Sequence, residues 1–186
     1  EFIELSSLYL NNLELKTEAQ PLLRELATQT GNTVFLAILQ EDEVIYIDKM
    51  ETFNSLRKYS IIGRRAPLHC TALGKAMLAG RSDAEVHVWA EGRQLPRYTE
   101  ATLTTVAALL KDMARIRRRG WSIDDEEYEP GIRCIGSAIR DYRGQVIAAV
   151  STSGSVAMIP RQKIDEVGAQ VAKMALEISR RMGYRG

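Results

Sequence analysis

Cysteine is scarce in this chain. There are two in 186 residues, Cys70 and Cys134, 64 positions apart. That excludes a disulfide-built scaffold and fits a reducing compartment, so a cytoplasmic location is expected. Histidine is equally rare, at two. With no CxxC or HxxxH spacing, no metal site and no other cofactor is expected. The sequence "GKAM" lacks the upstream glycine spacing of a phosphate loop. No apolar run nears the ~18 residues of a membrane span, so no membrane role is expected. Neither charge sign dominates: 25 Lys and Arg against 24 Asp and Glu give a net charge of +1. A global pull toward nucleic acid is thereby excluded. No signal peptide is read at the start. The chain opens on Glu1 and moves straight into helix, as expected of a piece of something longer.

What remains is an ordinary globular composition, 45% hydrophobic and 26% charged, in a chain long enough for one domain with a sizeable core. Its periodicity changes along the way. Residues 2–13 and about 15–30 carry apolar residues at helical spacing, with Pro21 marking an early turn or kink and Gly31 a stop. "TVFLAIL" (33–39) and "VIYIDKM" (44–50) read as strands about a turn, and 54–62 as a third strand. "GRRAPLH" is loop, "TALGKAMLA" helix. Ser82 and Glu85 form a capping box for a helix over 83–91. A helix over 105–119 ends in arginines and Gly120. "WSID", "GIRCIGSAIR" and "QVIAAVSTS" are three more strands, the last two joined as a hairpin by "DYRG". A helix over 160–182 closes the chain. The fold class is α+β: a mostly antiparallel sheet of about six strands flanked by helices.

Chemistry is thin. A cysteine nucleophile needs a base within reach; His69 and His87 read better as structural or surface residues, and Asp124 is a weak candidate. Arg115, Arg117, Arg118 and Arg119 could form a basic patch, but cations in a last helical turn also complement its dipole, and that reading is preferred. Residues 124–129 hold five acidic side chains in six positions. Glu126, Glu127 and Glu129 are expected on a solvated loop, while Asp124 stands apart at the end of a strand. Side chains alternate across a strand. One face of "IRCIGSAIR" therefore carries Cys134, Gly136 and Ala138, and one face of the next strand Ile147, Ala149, Ser151 and Ser153. Small residues with a few polar groups describe either a small-molecule pocket or a tightly packed hairpin. From the residues alone both stay open.

The same residues carry a resemblance. "LHCTALGKAMLA" (68–79) and "DDEEYEPGIRCIGSAIRDYRGQVIAAVSTSG" (124–154) resemble the two hallmark blocks of the effector-binding domain of IclR-type bacterial transcription regulators. "TGNTVFLAILQEDEVIYIDKME" is similar to that family's first hairpin. The resemblance implies a fold related to GAF and PAS sensor domains, no enzymatic activity, and a small carboxylate metabolite as ligand, with organic and sugar acids as the expected class. It implies that residues 1–14 end an interdomain linker helix, that 15–186 form the effector-binding domain, and that DNA is met only through a preceding winged helix-turn-helix domain. Carried over by position, the ligand carboxylate falls to the backbone N–H groups of Ala72 and Leu73. The other polar contacts fall to Asp124, Cys134, Ser151 and Ser153. Some relatives have Gly and Ala where Ala72 and Leu73 stand, so the bulkier Leu73 changes the pocket's size. A homodimer or homotetramer is expected, with Leu8, Tyr9, Leu13, Val86 and Trp89 as exposed apolar contacts. Two other function classes are carried beside this one: a small hydrolase or transferase using Cys134, and a sensory module of a signalling enzyme.

Overall fold

The computed structural model describes the backbone of residues 2–51 and 61–186, and the side chains of 14–51 and 61–186. The expected strand over 54–62 lies largely outside the described residues, as do the side chains of Leu8, Tyr9 and Leu13.

The two expected N-terminal helices are one, α1 (Phe2–Thr30). Pro21 has no N–H to give the helix, yet it sits on the exposed face. The opposite face buries Leu15, Ala19, Leu22, Leu23 and Leu26, and this burial carries the helix through the proline. Strands β1 (Thr33–Gln40) and β2 (Glu43–Met50) follow, joined by Glu41 and Asp42, both at positive φ. That two-residue turn matches the twist of the strands it joins. Among the described residues the next strand is β3 (Arg65–Ala66), inside the segment expected to be loop. Then come α2 (Ala72–Leu78), α3 (Asp83–Ala90) and α4 (Val106–Arg119). The expected capping box of Ser82 and Glu85 opens α3, and Gly120 closes α4 at φ 83. Strands β4 (Ser122–Asp125), β5 (Ile132–Arg140) and β6 (Val146–Ser155) precede a single 3-10 turn and α5 (Ile164–Arg181).

Among the described residues the sheet has six strands in the order β3-β2-β1-β6-β5-β4, every pair antiparallel. The fold class is therefore α+β, as expected. Alternation sends β1 side chains both ways. Val34 and Leu36 join Ile135, Ile139 and Val150 beneath α1 and α5. Phe35 and Ala37 join Ala149 beneath α2, with Leu109 and Met113 of α4 behind. The first layer is a conventional aliphatic core. The second is the one that leaves room.

Two expectations on this second side are corrected. Val86 and Trp89 are not exposed; they are buried at 0% and 9%, and Val88 is the exposed large hydrophobic residue of α3 at 71%. A helix of eight residues packed on α4 turns its apolar pair inward. The arginines closing α4 do more than complement its dipole. Arg117 donates to the carbonyls of Ala79 and Arg81 and to Asp83, stapling α4 to the α2–α3 junction. None of the described helices is long and apolar enough to cross a membrane.

Candidate functional site

Antiparallel registration puts paired residues on one face of the sheet. Asp124, Cys134, Ser153 and Thr33 form one row across β4, β5, β6 and β1. Ser122, Gly136, Ser151 and Phe35 form the next. The second row is where α2 lands. A Cβ on Gly136 would lie 2.9 Å from the Ala72 carbonyl oxygen, so only glycine lets the helix come this close. Ser122, fully buried, donates its hydroxyl at 2.6 Å to that same oxygen. The small residues thus serve both open readings. At Gly136 they admit a helix backbone, and over Cys134, Ser151 and Ser153 they leave space.

That space is a cavity of about 280 Å³. Ala72, Leu73, Asp124, Cys134, Ser151 and Ser153 all line it. Thr71 caps α2, accepting from the Gly74 N–H at 3.1 Å while its hydroxyl donates to the Pro67 carbonyl at 2.7 Å. The next donors, the N–H groups of Ala72 and Leu73, have no acceptor among the described residues. They form the positive end of the helix and suit an anion. Opposite, Asp124 is buried, and its Oδ1 accepts from the N–H groups of Glu127 at 2.7 Å and Tyr128 at 3.2 Å. Burial pushes its carboxyl up to about 6, although those two N–H bonds and the charge of Lys75 pull the other way. The Cys134 thiol donates to the Ser153 hydroxyl at 3.1 Å. A thiol engaged so, beside a carboxylate already holding two N–H groups, is not a nucleophile with a free base.

Composition hid several parts of the site. Phe35 and Tyr46 meet edge to face at 5.4 Å between ring centres, and so do Tyr98 and Tyr128 at 5.0 Å; all four line the cavity. Phe35 follows from its registration with Ser151, whereas Tyr98 lies in an irregular loop where no periodicity points to it. Arg64 and Arg65 also line the cavity, with Arg65 paired to Glu43 at 2.7 Å.

The acidic cluster needs a correction. Glu129 is exposed, as expected, and Glu126 partly so, its carboxylate accepting from the Gly131 N–H at 2.8 Å. Glu127 is not on the surface. It is 7% exposed and reaches inward to Lys75 on α2, with Nζ–Oε1 at 2.5 Å. Lys75 is itself 1% exposed and also holds Asp112 of α4 at 2.8 Å. Burial pushes the Glu127 carboxyl up to about 7, with the Lys75 charge opposing. The neighbouring His69 is structural: Nε2 lies 3.0 Å from the Pro96 carbonyl oxygen, and burial lowers its pKa. Burial likewise raises that of the Cys70 thiol, which leaves it unreactive.

The fold and sequence recur in known proteins. Residues 7–180 match the family described as "Bacterial transcriptional regulator IclR C-terminal". The chain belongs to the IclR family. It is 39% identical to the HTH-type transcriptional regulator KdgR of Escherichia coli over 99% of this chain and 70% of that one. The solved C-terminal domain of E. coli KdgR superposes with a TM-score of 0.81 at 38% identity, covering 92% of this chain and 99% of that one. The Thermotoga maritima IclR gives 0.88 at 34% identity, over 98% and 74%. The inducer-binding domain of PobR from Acinetobacter, a double mutant in complex with 3-hydroxybenzoic acid, gives 0.78 at 26% identity, over 87% and 95%. The IclR relatives are transcription regulators and repressors, so this is an effector-binding domain of a regulator and not a cysteine-dependent enzyme.

Proposed function

We propose that the cavity takes a small carboxylic acid bearing hydroxyl groups, sugar acids among them. The observation that carries this is the pairing of opposite ends. Two unpartnered N–H groups, on Ala72 and Leu73, stand on one side of a 280 Å³ space and a buried carboxylate, Asp124, on the other. The N–H groups take the ligand carboxylate. Asp124, its Oδ1 already holding two N–H groups, receives a ligand hydroxyl on Oδ2 and repels a second carboxylate. Ser151 and Ser153 donate to the carboxylate or to an adjacent hydroxyl, and Cys134 supplies an apolar wall. The PobR inducer-binding domain, bound to a hydroxy acid, is consistent with this chemistry.

In the intact regulator, residues 1–14 end the linker from a winged helix-turn-helix domain that makes the DNA contacts. Occupancy of the cavity then shifts the population of domain arrangements, and with it DNA affinity. The regulator works in the cytoplasm as a homodimer or homotetramer. Val88, not Val86 or Trp89, is the apolar contact that α3 offers.

A thermal-shift screen of small hydroxy, keto and sugar acids against dicarboxylates of matched length tests the ligand class. An acid held at about a hundred times its Kd adds roughly 2.7 kcal/mol. For a domain of this size that is a rise of roughly 5–10 °C in Tm. Equal stabilisation by the dicarboxylates, or no shift with any acid, refutes the reading.

A further inference from the structure

The two ends of the cavity lie on different elements, and a residue that does not line it ties them together. Lys75 sits three residues along α2 from Ala72, with its ammonium in hydrogen-bond contact with Glu127 and Asp112. Glu127 in turn donates its main-chain N–H to Asp124 at 2.7 Å, and its carbonyl accepts from Thr102 at 2.6 Å. None of Lys75, Asp112 and Glu127 lines the cavity. The helix that presents the Ala72 and Leu73 N–H groups is tied to β4 by the Ser122 hydroxyl on the Ala72 carbonyl, and to the turn whose main-chain N–H holds Asp124 by the Lys75–Glu127 bond.

As a source of stability this arrangement is poor. Taking each ion out of water costs several kcal/mol, and an apolar group of similar volume often does as well or better. One ammonium faces two carboxylates, and Glu127 Oε2 is buried without a partner among the described residues. What an ion pair supplies and a packed methionine does not is direction. A hydrogen-bonded ammonium holds its acceptors at fixed distances, whereas apolar surfaces slide past each other.

We propose that Lys75, acting through Glu127, is a positioning residue: it fixes the span between the Ala72 and Leu73 N–H groups and Asp124, and so sets how far apart carboxylate and hydroxyl must be in the ligand. This rests on the reading of the two ends given above. Lys75 reads the ligand's length without touching it.

The test uses hexanoate and its 2-, 3-, 4-, 5- and 6-hydroxy derivatives, titrated calorimetrically into the wild type, Glu127→Gln and Glu127→Ala. Both substitutions remove the same charge and leave Lys75 paired one-to-one with Asp112. Only the glutamine keeps an oxygen for the ammonium. The wild type prefers one hydroxyl position over hexanoate by roughly tenfold, the factor given by ~1.4 kcal/mol. Glu127→Gln keeps that ranking, and Glu127→Ala compresses it to within about threefold. If Glu127→Ala instead retains the ranking, or both variants lose it alike, Lys75 is not a positioning residue. Should Glu127→Ala fail to fold, Lys75→Met/Asp112→Asn/Glu127→Gln, which leaves no buried charge unpaired, takes its place with the same expected compression. If the wild type binds no member of the series, or binds all equally, the reading of the two ends falls, and this inference falls with it.

Discussion

Replacing Gly74 by alanine should destabilise the domain, against the usual direction for such a change. Gly74 is the third residue of α2, and in an exposed helix interior Gly→Ala gains about 1 kcal/mol. Here a Cβ would lie 2.4 Å from Leu68 Cα, 2.5 Å from Leu68 O and 2.8 Å from Leu68 C. These are main-chain atoms with no rotamer to turn aside. Their segment is held down by the Thr71 hydroxyl on the Pro67 carbonyl and by burial of Leu68. Ordinary contact would need about 1 Å more separation, so either α2 or the preceding loop must move. Overpacking costs about 1–3 kcal/mol. A clash with backbone belongs at the upper end, about 3, and the helical gain of about 1 leaves a net loss of ~2 kcal/mol. The movement also displaces the N–H groups of Ala72 and Leu73, so ligand affinity falls with stability. Urea unfolding gives the first quantity, provided the m-value is unchanged, and calorimetry the second. A variant more stable than the wild type by about 1 kcal/mol would refute the close approach of α2 to its own loop.

Glu127→Gln should flatten the pH dependence of stability. The wild-type carboxyl keeps its proton up to about 7, above its ordinary range, because it is buried. Between roughly pH 4.5 and 7 the folded state therefore binds more protons than the unfolded chain, and stability falls as pH rises through that window. Asp124 acts in the same sense up to about 6 in both proteins, so the difference between them isolates Glu127. Urea midpoints at about pH 5 and about pH 8 measure it, and identical differences would contradict the burial of Glu127. Arg117→Ala should cost about 1–2 kcal/mol, since three acceptors on the α2–α3 junction lose their donors. Arg118→Ala, on the exposed side of the same turn, should stay within about 0.5 kcal/mol. Equal losses in the two variants would show that the staple contributes nothing.

Strand alternation made much of the sheet legible. It put Cys134 and Gly136 on one face of "IRCIGSAIR" and Ser151 and Ser153 on one face of "QVIAAVSTS", but the irregularity between Ile139 and Arg140, which the sequence did not announce, is what sets Cys134 opposite Ser153 and Gly136 opposite Ser151. What alternation cannot show is what lies above the row. The small residues read equally as pocket or close packing, and Gly136 turned out to admit a helix while its neighbours bound a cavity. Glu127 escaped for a related reason. Five acids in a row look solvated, because nothing local reveals a cation waiting beneath them. The signal was Lys75, alone among apolar residues in "ALGKAML", a helix buried throughout. A charge in such a segment must find a partner, and only the folded chain says which. Pro21 misled in the opposite direction. Its local preference to break the helix lost to the leucines buried on the other face of α1. At two residues, β3 is too short for any period to register.

The cavity's role as an effector site is tested most directly by calorimetry with the best acid from the thermal screen, titrated into the wild type and into Ser151→Ala, Ser153→Ala and Asp124→Asn. Ser153→Ala should weaken binding by roughly 1 kcal/mol, about fivefold, the typical net value of one hydrogen bond. Asp124→Asn should cost more, since its carboxylate makes a charge-assisted bond, and the unfolding midpoint of Ser153→Ala should barely move. If all three variants bind the acid as tightly as the wild type, Asp124, Ser151 and Ser153 are the polar end of an ordinary hairpin and the effector binds elsewhere.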